Sequence, residues 1–392
     1  MTRRIVVLEP DCEGEAHLPF NAGILAALAA AAPAAGIEFH AAASHRAALM
    51  PVLSPTVAAR LHGGPLAGAG HHGRRRMVDP ALLRRLWASP AGAGDRVVVP
   101  TATRGSFFAL ALATRLGRVA RGTAFAVGHS LLADLWEKPR RNPLLRRVDL
   151  THALRAFLAA GHRLVVLEAG IEMEFAARFP DLAHAVRLWP HPLPPAIPAM
   201  PAGPIHGAGN RPRIGFLGWT GGDKGFGAFL AAARDFAGAA EFHAIGHGAP
   251  GDGDPGRAGL GALATAPRAG FWPRAEYARH AAALDYVCMF YDARAYRFVA
   301  SGVLMDALAF GIPVIAPDIP LLARIAAQHG EIGLLYDGAK GRDAAVAAAI
   351  ALAGTSRHAA MKRNIAAAAA ARGPDRLART IAADLGFGPA AP

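Results

Sequence analysis

Cysteine, lysine and long apolar runs are all scarce in this sequence. Only Cys12 and Cys288 occur, too few and too far apart for a disulfide framework. No C-x-x-C or Cys/His pair has metal spacing, which argues against a structural zinc site. Lysine supplies 4 of the 42 cationic residues and arginine the rest. The uncharged stretch over residues 22–37 near the N-terminus is alanine-rich and broken by Pro33. It is too short to cross about 30 Å of hydrocarbon. Residues 1–8 have a basic start but only four apolar residues before Glu9, too few for the core of a secretion leader. These absences predict a soluble, cytoplasmic chain with reduced thiols.

What is present is apolar and basic. Hydrophobic residues make up 53% of the 392 and charged residues 18%, enough to bury a large core and too few charges for disorder. The length suggests two domains. The net charge of +13 is uneven: residues 70–147 hold 15 basic and 4 acidic residues, or +11. Arg74, Arg75, Arg76, Arg84, Arg85, Arg140, Arg141, Arg146 and Arg147 feed it. Such a patch can attract an anionic membrane surface or a polyanionic acceptor; the plain alternative is a solvated, arginine-rich face. No nucleic-acid partner is expected, because aromatics are not interleaved with these arginines and no DNA- or RNA-binding motif occurs.

Hydrophobic periodicity then gives two alternating series. In the first half, strands are expected at 4–8, 37–43, 96–100, 123–127, 162–168 and 185–189. Helices fall between them: an alanine-rich one reaching about Ala35 and capped by Gly36, then 79–87 with Asp79 as N-cap, 105–116, 144–160 and 171–179. Eight prolines between Pro190 and Pro212 break the pattern and read as a stiff connector. The second half places strands at 213–217, 241–245, 286–290, 313–316 and 332–335. Its helices are expected at 226–236, 275–283, 301–310 and 321–328, with further alanine-rich helices at the end. The predicted organisation is residues 1–190 as one domain, 191–212 as linker, 213–355 as a second domain and 356–392 as C-terminal helices. The predicted class is α/β: two doubly wound, Rossmann-like domains facing across a cleft.

Two segments carry the chemistry. The run from Ser301 to Ala316 (SGVLMDALAFGIPVIA) is a small-residue turn, a short helix ending at Gly311 and a buried strand. Ser301 and Gly302 sit where free helix N–H groups can hold phosphate oxygens, and Asp306 follows one turn on, where it could meet a ribose hydroxyl pair. The run from Gly215 to Phe226 (GFLGWTGGDKGF) is a glycine loop in which Lys224 offers a charge to a diphosphate. It is not a Walker loop, since Gly225 follows the lysine.

Together these segments resemble the nucleotide-sugar domain of the GT-B glycosyltransferases, specifically the retaining family 4 group. The order matches: proline-rich link, strand and loop with Asp223-Lys224-Gly225, a Gly246-His247-Gly248 turn, the 306–315 run, Asp318-Ile319-Pro320, and Gly330-Glu331-Ile332-Gly333-Leu334-Leu335. The likeness spans residues 190–340. In the first half it rests on Gly14-Glu15-Ala16-His17 and His129. The resemblance implies a glycosyltransferase acting with retention on a nucleotide-sugar donor and a glycan or lipid-linked acceptor, without cofactor or metal, in polysaccharide biosynthesis. It implies that Gly218, Trp219, Gly222, Lys224, Arg297, Ser301, Gly302, Val303 and Asp306 bind the donor. It places Gly14, Glu15 and His17 on the acceptor side and His129 near the transferred sugar, with Lys224, Asp306 and His129 as the catalytic set. The sequence departs from the family at Phe298, where the first of two carboxylates is usual, and at Trp219, where an arginine is usual. Those departures motivate an alternative, a catalytically silent relative used as a binding or scaffold subunit.

Weaker signals remain. Asp252-Gly253-Asp254 has metal-site spacing but sits in a Gly/Pro-rich loop and reads as a turn. Glu168, Glu172 and Glu174 around Gly170 suit a helix N-terminus. Trp136, Trp189 and Trp219 could stack a ring or simply pack, and His191 lies between two prolines of the connector.

Overall fold

The computed structural model describes residues 3–70, 78–129, 131–136, 149–195, 211–221, 224–248, 255–293 and 295–387. The chain divides into two compact units. One comprises Met1–Pro195, Phe298–Ala300 and Arg372–Pro392, the other Ala196–Arg297 and Ser301–Ala371.

The N-terminal unit is built on seven parallel strands: β1 (Arg4–Leu8), β2 (Gly36–His40), β3 (Leu61–His62), β4 (Arg96–Val99), β5 (Ala124–Val127), β6 (Arg163–Val166) and β7 (Val186–Leu188). Their order is β3-β2-β1-β4-β5-β6-β7. Ile5, Val7, Val97, Val98, Ala126, Leu164 and Val165 are wholly buried, as expected of central strands covered on both faces. Because the sheet runs outward from β1 in one direction and from β4 in the other, the loops after these two strands diverge and open a crevice. The helix Leu18–Ala31 follows β1, and the last helix, Pro374–Leu385, belongs to this same unit. Leu377, Ala378, Ile381 and Leu385 form its buried stripe, spaced one or two turns apart. Trp189 Nε1 donates to Asp384 Oδ2 (2.7 Å) and Arg96 Nε to the Leu385 carbonyl (2.7 Å), which tie this helix to β7 and β4.

The second unit has five parallel strands: β8 (Arg213–Trp219), β9 (Glu241–His247), β10 (Tyr286–Cys288), β11 (Val314–Pro317) and β12 (Gly333–Tyr336). Their order is β12-β11-β10-β8-β9. Phe216, Phe229, Phe242 and Tyr286 fill the core beneath the helix Phe226–Asp235. That helix opens on Gly225 at φ 74°, where an added Cβ would lie 2.0 Å from the Phe290 carbonyl oxygen. Glycine is required there on both counts.

Most expected elements are present, with informative differences. The first helix stops at Ala31 instead of about Ala35, because Pro33 cannot continue it. Gly36 begins β2 instead of capping a helix. Of the helix expected over 144–160, residues 144–148 lie outside the described residues; the helix Leu150–Ala159 is capped by the Asp149 side chain, which accepts from the His152 N–H. Gly246 and His247 end β9 instead of forming a turn, since β9 pairs with β8 through Trp219 and His247. Asp79 and Ser301 are N-caps and Gly311 is a left-handed C-cap, as the sequence suggests. Arg74, Arg75, Arg76, Arg140, Arg141, Arg146, Arg147, most of the linker, and Asp252-Gly253-Asp254 lie outside the described residues.

Candidate functional site

The five-stranded unit gathers its candidate residues at the carboxyl ends of β8, β9 and β10. Gly218, at φ 85°, ends the straight part of β8. A Cβ added to Gly218 would sit 3.4 Å from Val303 Cγ2 and 3.7 Å from Lys224 Nζ, so these three residues adjoin. Burial pushes the Lys224 ammonium down from its usual 10.5, and the Asp306 carboxylate opposes that shift. Among the described residues, no hydrogen bond or ion pair engages this ammonium.

The helix Gly302–Phe310 points its N-terminus at the same place. Ser301 Oγ accepts from the Leu304 N–H (3.2 Å) and meets the Tyr291 hydroxyl (2.8 Å). Tyr291 stacks on Tyr296 with ring centres 3.7 Å apart, which fixes the cap from below. Gly302 is exposed and has open space around its Cα. The cap thus occupies the Leu304 amide, while those of Gly302 and Val303, in the first turn, have no partner within the helix, the usual setting for an anion.

Asp306 is held differently from the expectation of a free ribose acceptor. Arg274 donates to Oδ1 (3.0 Å) and the Tyr277 hydroxyl to Oδ2 (2.7 Å), both from the helix Arg274–Ala282. Each oxygen keeps a lone pair, but the carboxylate already balances one guanidinium. Burial and the neighbouring carboxylate raise the Tyr277 phenol well above its usual value, so it stays a donor.

An aromatic ridge flanks the lysine. Trp219 is 49% exposed, and its indole lies so close that a Cβ on Gly221 or Gly248 would come within 2.4 or 2.3 Å of ring atoms. Gly248, at φ 85°, is doubly required. The Trp219 ring centre lies 5.4 Å from that of His247, which lies 4.1 Å from the 49%-exposed Phe271. Burial and the charge of Lys224 both push His247 below its usual value, so it adds a neutral ring to the ridge. Phe271, Arg274 and Tyr277 were not singled out from sequence, and His247 only as the middle of a Gly-His-Gly run. Trp219 carried a signal, as a bulky residue within a run of glycines.

The seven-stranded unit brings its own candidates together. His17, which takes φ 51° as N-cap of Leu18–Ala31, sets its ring edge-on to His129 with centres 4.4 Å apart. His129 at the tip of β5 is buried against Phe20 (4.5 Å) and His191 (5.6 Å). His191 is part of this cluster: its Nδ1 donates to the Pro192 carbonyl (2.8 Å), and burial lowers it to about 4. Gly14 is half-buried and Glu15 exposed on the loop before His17. Glu168 is the N-cap residue of the helix Ala169–Arg178 and Glu172 lies in its first turn, as expected, but the Glu168 carboxylate makes no capping hydrogen bond and pairs instead with Arg372 in a buried two-pronged contact (2.8 Å each). Phe298 and Trp189 are buried in this unit's core. Gly222 and the side chains of Arg297 and Trp136 lie outside what is described.

Among the described residues, no group of three or more His, Cys, Asp or Glu is placed to hold a metal ion, and no helix is long and apolar enough to cross a membrane.

No family model matches the sequence, and no curated protein matches it. Solved structures do match, over nearly the whole chain. HepE from Anabaena, determined with UDP and glucose, is 16% identical with a TM-score of 0.60, covering 98% of this chain and 99% of that one. A glycosyltransferase from Rickettsia africae is 9% identical with a TM-score of 0.64, covering 98% of each chain. A Listeria monocytogenes protein assigned as a UDP-N-acetylglucosamine 2-epimerase is 12% identical with a TM-score of 0.58, covering 93% of this chain and 91% of that one. At these identities the likeness establishes the fold, which is that of the GT-B glycosyltransferases.

Proposed function

We propose that this protein is a glycosyltransferase that moves a sugar from a nucleoside diphosphate donor to a glycan or lipid-linked acceptor, with retention and without a metal. The observation that carries the reading is the half-buried Lys224 ammonium, set beside Gly218 and Val303 at the N-terminus of Gly302–Phe310. In the transfer, the bond between the sugar C1 and the phosphate oxygen breaks and charge builds on the leaving diphosphate. Lys224 and the first-turn amides of Gly302 and Val303 stabilise that charge, and Gly218 leaves room for it. Asp306 keeps Arg274 in place and steadies Lys224 by charge. The Trp219–His247–Phe271 ridge stacks the base. Within the N-terminal unit we assign Gly14, Glu15 and His17 to the acceptor and His129 to the transferred sugar, and the basic 70–147 region to holding the protein on an anionic membrane. UDP is the first nucleotide to test, because HepE was solved with it.

The reading is tested by thermal unfolding of wild type and Lys224→Ala with saturating UDP, GDP, ADP and TDP. A nucleotide at a hundred times its dissociation constant stabilises the folded protein by about 2.7 kcal/mol. One nucleotide should shift the wild type and not the variant; no shift with any nucleotide would sink the donor assignment. The scaffold reading is favoured by the occupied carboxylate of Asp306 and by Phe298. Nucleotide binding without transfer or donor hydrolysis would select it.

A further inference from the structure

The crevice between β1 and β4 is filled by a carboxylate that the transfer reading leaves unused. Glu9 follows β1 directly and is wholly buried. Its Oε1 accepts the backbone N–H groups of Asp11 (3.0 Å) and Cys12 (3.2 Å), folding the first half of loop 9–17 back onto the strand end. Its Oε2 accepts from Asn21 Nδ2 (3.3 Å), in the helix Leu18–Ala31. The same Asn21 nitrogen meets His45 Nε2 (2.9 Å), and His45 Nδ1 donates to the Gly14 carbonyl (2.7 Å). One side chain therefore grips the loop at two points, directly at 11–12 and through Asn21 and His45 at 14. The Gly14 N–H in turn donates to Ser44 Oγ (3.2 Å), so both peptide groups of Gly14 are fixed.

We propose that Glu9 is a positioning residue, a latch that holds loop 9–17 closed and fixes where Gly14, Glu15 and His17 stand. The relevance to an acceptor rests on the transferase reading; the latch itself does not.

The latch is sensitive to pH because it is buried. The groups that face Glu9 are Asp11 and Cys12 on its own loop, Thr101 from the end of β4, and Asn21 leading to His45. Burial, with a smaller push from Asp11, raises Glu9 from 4.5 to about 7, although the two backbone amides and Thr101 oppose the shift. Burial lowers His45, so it is neutral and can accept from Asn21 while donating to Gly14. The neutral form of Glu9 is thus favoured while the loop is closed, and the ionised form once the loop opens to water. Between 4.5 and about 7, opening releases a proton, so its equilibrium constant rises tenfold per pH unit, up to about 300-fold in all, and then levels off.

Cys12 reports the opening. It lies wholly buried inside the latched loop, with its sulfur 3.7 Å from Thr101 Oγ1. With Cys288→Ala as background, the rate of Cys12 modification by dithiodipyridine, corrected for the thiolate fraction of a model thiol, reads the open fraction between pH 5 and 8.5. The rate should climb through the acid range and flatten above about 7. Glu9→Gln should remove the climb. Asn21→Ala and His45→Ala should raise the rate at least about tenfold at every pH while keeping the climb, since each cuts one arm and leaves the carboxylate. Either relay variant serves if Glu9→Gln does not fold. A climb that persists in Glu9→Gln overturns the proposal. So does Cys12 modification that follows global unfolding, at the same rate as Cys288 in Cys12→Ala. The assay contains no sugar or nucleotide, so failure of the transferase reading leaves its outcome intact.

Discussion

At the carboxyl edge of the seven-stranded sheet, Glu9, His45, His129 and His191 are all buried, whereas at the same edge of the five-stranded sheet Trp219 and Phe271 are each 49% exposed. The first edge is packed inward: Glu9 is met by Asp11, Cys12 and Asn21, and His129 packs its ring against His17, Phe20 and His191. The second edge presents rings, glycines and a half-buried lysine that, among the described residues, is met by no hydrogen bond or ion pair. A surface that holds back its own partners is suited to a ligand that supplies them. The buried edge is suited to hold a shape, and its charges should show in stability more than in binding.

The largest effect should come from the N-terminal unit's buried ion pair. Arg372→Ala leaves the Glu168 carboxylate, 4% exposed, without its two-pronged partner. A buried charge stripped of its partner costs about 3–5 kcal/mol, and replacing both residues by glutamine should recover much of that. Urea unfolding of the full chain measures both. A loss below about 1 kcal/mol for the single variant would place this pair among ordinary surface pairs and erase the contrast between the edges.

Acid should act on the same unit next. Burial lowers His162 and His191 from 6.5 to about 4. In His162, Nδ1 accepts the Ala124 N–H (3.2 Å) and Nε2 meets Thr114 Oγ1 (2.8 Å), so a second ring proton would face a donor. For a base with a depressed folded value, stability is complete above 6.5 and is lost as pH falls towards 4, up to about 3 kcal/mol per histidine. Glu9 runs the other way, its neutral form gaining about as much for the fold as pH falls from about 7 to 4.5. The histidine contribution is therefore isolated by difference. Subtracting the pH–stability curve of His162→Gln from that of wild type should leave a step confined to the window between 6.5 and about 4. A flat difference would mean that this imidazole is no more buried in effect than a surface one.

Much of the scaffold was legible in the sequence, because strand–helix alternation and end signals are local. Asp79, Ser301 and Gly311 announce their caps by residue type alone. Gly36 shows the limit of that logic: a glycine after a helix reads as a cap, but Pro33 had already ended the helix. What was not legible depends on partners distant in sequence. Nothing near Asp306 reveals that Arg274 and Tyr277, 32 and 29 residues earlier, reach its two oxygens. A stripe such as Leu377, Ile381 and Leu385 states that a helix buries one face, not which core receives it; here it is that of the N-terminal unit. Nothing in the sequence marks Glu9, and only the fold shows two amides and an asparagine converging on it.

The smallest effect should fall on the exposed edge and on binding alone. Trp219 is half in solvent, and its ring is positioned by the glycines around it, not by a core, so Trp219→Ala should change stability by less than about 1 kcal/mol. If the ridge stacks a base, removing its largest ring should weaken nucleotide binding by about 1 kcal/mol, or roughly fivefold in dissociation constant. Phe271→Ala should do slightly less, because His247 separates it from Trp219. Calorimetric titration of the favoured nucleoside diphosphate and of inorganic diphosphate separates the two roles of this edge. Trp219→Ala should weaken the nucleotide and leave diphosphate untouched, whereas Lys224→Ala should weaken both. Equal losses for both ligands in Trp219→Ala would show that the indole serves the phosphate pocket through Gly218 and Lys224, and the ridge would then be a wall and not a platform.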